Sequence, residues 1–130
     1  MSVAALQRIL YVEDEPDIQT VARLALEMLG GFTVEICSSG TEALARAPEF
    51  VPDLILLDVM MPGMDGPTVL ARLRELPGTA ATPVVFMTAK FQPQEVAEYR
   101  SLGAVEVIGK PFDPVALPGQ VREIWRRIHG

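Results

Sequence analysis

Short, branched apolar runs that stop abruptly at polar residues constrain the fold of this chain more than any other feature. Residues 9–12 end at Glu13 and Asp14, residues 54–57 end at Asp58, and residues 84–87 end at Thr88. Four consecutive apolar side chains bury both faces of a strand, the pattern of a parallel sheet covered on both sides. Phe32, Val34 and Ile36 alternate with Thr33, Glu35 and Cys37, as in a half-exposed edge strand, and residues 105–108 supply a short strand for the opposite edge.

Between the strands, apolar residues recur at helical spacing: Ile18, Val21, Ala22, Ala25 and Leu29, then Val69, Leu73 and Leu76, then Val121, Ile124, Trp125 and Ile128. Residues 41–47 and 94–102 complete the alternation with narrower, Ala-rich stripes. Boundary chemistry agrees. Ser39 and Glu42 form a capping box, Asp65 precedes Gly66 and Pro67, Asp113 precedes Pro114, and Gly30, Gly31 and Gly103 mark helix ends. Pro118 is expected to kink the last helix or delay its start. Strict β-α alternation implies an α/β fold, a doubly wound five-stranded parallel sheet with helices on both faces and right-handed crossovers.

With 130 residues, 49% of them hydrophobic, the chain is expected to form one domain over 1–130 without disulfide or metal staples. Cys37 is alone, and residues 1–10 lack the basic flank and apolar run of a signal peptide, so a cytoplasmic location is expected. No apolar run approaches the roughly 18–20 residues that cross a bilayer. A net charge of −6 repels phosphate backbones, so neither a membrane nor direct nucleic-acid contact is expected.

In such sheets the functional crevice lies beyond the carboxyl ends of the strands. That edge would gather Glu13, Asp14, Asp58, Thr88 and Lys110, the last followed by Pro111. Singly, each has an ordinary use as a helix cap, a strand-end hydroxyl or a solvated cation. Together, four strand ends bring three acids, a hydroxyl and an amine to one place. Carboxylates ~5 Å apart repel by about 3 kcal/mol per pair at an effective dielectric of ~20. A hard, oxygen-seeking Mg2+ fits that charge, whereas no His or Cys cluster offers a zinc site. An aspartate carboxylate is a competent nucleophile toward phosphorus when cations neutralise the transferring oxygens. Asp58, after the most hydrophobic strand, is the candidate acceptor. Asp14 is the direct metal ligand, Glu13 an outer one through water, and Lys110 and Thr88 contact phosphoryl oxygens.

Segments 10–16, 56–66, 87–89 and 109–112 make the chain resemble the receiver domain of two-component response regulators over residues 9–125. The expected fold is then flavodoxin-like, with strand order 2-1-3-4-5. The resemblance implies that Asp58 accepts a phosphoryl group from the phosphohistidine of a sensor histidine kinase or histidine phosphotransfer protein. It also implies that Asp14, Asp58 and the Met60 backbone carbonyl hold Mg2+, that the Lys110–Pro111 peptide is cis, and that Thr88 is a switch. Where the family places an aromatic reporter, three positions before Lys110, this chain has Val107, so the switch is expected to pair Thr88 with Val107, through movement of the 88–92 loop and repacking of Val107. Met60 and Lys90, each two positions beyond a site residue, flank the phosphoryl pocket and are expected to tune the acyl-phosphate lifetime.

Two other readings stand beside this one. A phosphatase of the haloacid-dehalogenase type also uses a strand-end Asp, but needs a second Asp where Met60 stands. A degenerate receiver would bind partners without being phosphorylated. The chain stops at Gly130, so a stand-alone regulator or phosphorelay shuttle is expected. By the same resemblance, an unidentified downstream protein binds the face of residues 94–102, 105–108 and 115–127. His129 reads as a solvated tail residue, Trp125 as core, and Arg122, Arg126 and Arg127 as a solvated basic strip. Met60, Met61 and Met64 offer an adaptable surface.

Overall fold

A computed structural model describes residues 5–129. In it, β1 (Arg8–Val12), β2 (Thr33–Cys37), β3 (Leu54–Asp58), β4 (Val84–Thr88) and β5 (Glu106–Gly109) alternate with α1 (Pro16–Arg23), α2 (Gly40–Phe50), α3 (Gly66–Glu75), α4 (Pro93–Ser101) and α5 (Leu117–His129). All neighbouring strands are parallel, in the expected order β2-β1-β3-β4-β5. The readings of Met1 to Ala4 as leaderless and of Gly130 as the stop lie outside the described residues.

Alternate strand residues feed two cores. Ile9, Tyr11, Leu56 and Met87 face Ala22, Leu26, Val121 and Ile124. Leu10, Val12, Leu57 and Phe86 face Ala43, Ala47, Val69 and Leu73. Every residue of β3 and β4 is buried, and each Leu of β3 contributes about 1.5–3 kcal/mol by leaving water. The central strands are therefore the rigid floor of whatever stands at their ends.

Several expectations need correction. The edge strand is Glu106–Gly109, one residue later than read, although Val105 N–H already bonds the Val84 carbonyl as the chain enters the ladder. Helix α1 runs on as a π-helical segment, Leu24–Leu29, closed by a Gly30 N–H to Ala25 carbonyl bond of 3.0 Å. The wider turn rotates the stripe beyond it, so Leu26 is buried while Leu29 is exposed; Val21, one turn earlier, is exposed as well. Helix α2 extends through Pro48 to Phe50 and ends at Val51, whose φ is 53°. Its cap is split: Ser39 Oγ accepts from Glu42 N–H, while Glu42 accepts from Ser38 rather than Ser39.

Asp65 caps α3 as expected, accepting from Thr68 N–H, but α3 stops at Glu75 and Leu76 lies beyond it. Helix α4 spans Pro93–Ser101 and buries no residue. Pro118 takes the second position of α5 and Asp113 closes the preceding turn, so the delayed start holds and the kink does not arise. Gly31 and Gly103 have positive φ whereas Gly30 does not. Trp125 is half-buried against His129 rather than core, and Ile128 is exposed. The basic strip is not free: Arg122 bonds the Gly30 carbonyl and covers the Phe32 ring, Arg126 pairs with Glu123, and Arg127 with Glu106.

Candidate functional site

The carboxyl ends of β1, β3 and β4 deliver three acids and a hydroxyl to one crevice. Glu13 is fully buried; its N–H continues the ladder to the Cys37 carbonyl, and its carboxylate accepts from Glu15 N–H. Asp58, the last residue of β3, is 3% exposed, and its Oδ1 accepts from Met60 N–H at 3.2 Å. Asp14 is half-buried, and the oxygens of Glu13, Asp14 and Asp58 lie within 4.8 Å of one another. Thr88 is buried, with Oγ1 accepting from Lys90 N–H at 3.0 Å.

Lys110 reaches into this group from the far strand. Its own N–H bonds the Thr88 carbonyl, fixing the chain where β5 ends, and the following Lys110–Pro111 peptide is cis, as the resemblance implied. Its Nζ lies 2.9 Å from Glu13 Oε1 and 3.3 Å from Asp58 Oδ2. Burial pushes Glu13 up to about 7 against the Lys110 hydrogen bond, and the Asp58 charge adds to the rise. Burial works against the Lys110 charge, but the bond to Glu13 and the charges of Asp58 and Glu13 carry its pKa above the ordinary lysine value.

A cavity of about 400 Å³ opens over Asp58, lined also by Met60, Thr88, Ala89, Lys90 and Lys110. The structure thus brings together Glu13, Asp14, Asp58, Thr88 and Lys110, with Met60 and Lys90 at the wall. Val107 is not part of this group; it packs half-buried with the core of Phe86 and Tyr99. Gly66 plays a part that was legible only as a helix boundary. A Cβ there would lie 2.8 Å from the Asp58 carbonyl oxygen, so only glycine lets α3 begin this close behind the acceptor strand.

Three carboxylates against one ammonium leave local negative charge, and the donor set is all oxygen. Those residues fit a hard divalent cation such as Mg2+. The family model of the response regulator receiver domain matches residues 9–122. The chain belongs to that family.

Its relatives include the DNA-binding dual master transcriptional regulator RpaA of Synechocystis sp., 38% identical over 122 residues, covering 94% of this chain and 50% of that protein. The transcriptional activator protein IrlR of Burkholderia pseudomallei is 43% identical over 120 residues, covering 92% and 51%. The chain spans about half the length of these curated relatives. Among solved structures, the chemotaxis protein CheY4 of Vibrio cholerae matches with a TM-score of 0.84 at 30% identity, covering 92% of this chain and 99% of that one. A putative response regulator from Chloroflexus aurantiacus matches at 0.82 and 31%, covering 94% and 99%.

Phosphorylation-based two-component signalling is the general function of that family, and receiver domains are signalling proteins rather than metabolic enzymes. Receiver domains bind Mg2+ at an acidic pocket and interact with histidine kinases or phosphotransfer proteins. Among the described residues no helix is long and apolar enough to cross a membrane.

Proposed function

We propose that this chain, over 1–130, is a cytoplasmic switch that accepts a phosphoryl group on Asp58 from a kinase or phosphotransfer phosphohistidine. The observation that carries the reading is Lys110 Nζ, held between Glu13 and Asp58 at 2.9 and 3.3 Å in the lining of the cavity. An Asp58 carboxylate oxygen forms the new P–O bond as the P–N bond to imidazole breaks, and the leaving nitrogen keeps the electron pair. Lys110 then meets a phosphoryl oxygen, and the Thr88 hydroxyl donates to another. Asp14, Asp58 and the Met60 carbonyl would hold Mg2+, with Glu13 through water. When bound, the ion neutralises charge on the transferring oxygens.

The signal passes by changed binding of a downstream protein on the face of α4, β5 and α5. Met60 and Lys90 line the cavity, which supports their place in setting the acyl-phosphate lifetime by controlling access of water. The test is incubation with acetyl phosphate and Mg2+, read by intact mass. A phosphoryl adduct on the parent chain that is lost in Asp58→Asn is expected. No adduct on the parent would favour the degenerate, partner-binding reading.

A further inference from the structure

We propose that Phe91, on the loop between β4 and α4, is the aromatic reporter of the switch, beside a β5 edge where Val107 carries no ring. The inference rests on phosphorylation of Asp58. Gly109, the last residue of β5, pairs with Thr88 across the ladder and immediately precedes Lys110. The Phe91 ring lies over it so closely that a Cβ on Gly109 would stand 2.8 Å from the ring. Glycine is thus the residue that lets an aromatic side chain rest on the backbone joining the hydroxyl and the ammonium of the site. The ring is nevertheless 53% exposed, so it rests on β5 without being locked into a core. Tyr99, in contrast, is held edge-on to Phe86 with centroids 5.3 Å apart.

A hydrogen bond ties the ring's loop to the site: Lys90 N–H to Thr88 Oγ1, 3.0 Å. A phosphoryl group on Asp58 brings anionic oxygens into the cavity that Thr88, Ala89, Lys90 and Lys110 also line. A charge-assisted bond from a hydroxyl to such an oxygen is roughly twice as strong as a neutral one. Thr88 turns to donate to it, and Oγ1 leaves the Lys90 N–H. The loop loses the bond that positions Phe91, and the ring leaves Gly109. An event at the buried end of β4 is thereby converted into a change of exposed aromatic surface beside the β5 edge.

The full chain labelled with 4-fluorophenylalanine has five phenylalanine ¹⁹F resonances, and loss of one in Phe91→Leu assigns it. Addition of acetyl phosphate and Mg2+, with the adduct followed by intact mass, should move the Phe91 resonance toward its position in unfolded protein. Gly109→Ala, whose methyl displaces an exposed ring rather than a core, should show that position before any phosphodonor is added. An adduct on Asp58 with an unmoved Phe91 resonance overturns the inference while leaving phosphorylation intact. A Gly109→Ala resonance coincident with the parent's also overturns it. Absence of any adduct overturns the phosphorylation reading and this inference with it.

Discussion

Glu13 has no exposed surface, and among the described residues its carboxylate is answered by one side-chain cation, Lys110. Removing one partner of a buried pair leaves the other's desolvation uncompensated, at a cost of about 3–5 kcal/mol when both are fully buried. Lys110 retains some solvent access, so Lys110→Met is expected to lower the unfolding free energy by about 2 kcal/mol. The urea midpoint measures this, and Mg2+ should recover part of the loss by replacing the missing positive charge. At this scale the sequence was most informative. Glu13, Asp14, Asp58, Thr88 and Lys110 each follow an apolar run whose direction fixes which sheet edge they reach. Arg122 and Phe91 were not legible, because their partners, the Gly30 carbonyl and the Gly109 backbone, are distant in the chain and carry no sequence pattern.

Elements differ in how firmly they are held, and α4 is held least. It buries no residue, and Arg100 on α4 and Arg127 on α5 both reach Glu106 on β5, at 2.7 and 3.3 Å. Burial pushes Glu106 upward, but the Arg100 bond, the Val107 N–H and both guanidinium charges outweigh it and hold its carboxyl below 4.5. A lowered carboxyl stabilises the fold above its unfolded value and loses that contribution as pH falls through its folded value. Below pH ~4.5 the parent should therefore lose α4 amide protection faster than Glu106→Gln, which has no such charge to lose. Hydrogen exchange over an acid series measures it; equal acid dependence in the two proteins would contradict the linkage. Element types were readable from period alone, while boundaries were not. The π-helical turn moved the buried stripe of α1 to Leu26, and α2 passed through Pro48, because tertiary packing overrides local propensity at helix ends.

For the molecule as a whole, the net charge of −6 and the three gathered carboxylates make a divalent cation the ligand to which stability responds most directly. An ion that binds only the folded chain stabilises it by RT ln(1 + [L]/Kd), about 1.4 kcal/mol at ten times the dissociation constant. For a domain of this size that corresponds to a rise in Tm of about 4–5 °C. Mg2+ should produce it in the parent and not in Asp14→Asn, whose side chain is half-buried and whose loss leaves both cores untouched. Monovalent salt at equal ionic strength separates binding from screening, because screening relieves repulsion among all surface acids alike. A rise that persisted in Asp14→Asn, or that sodium chloride reproduced, would place the effect in the general field of the molecule rather than at the ends of β1 and β3.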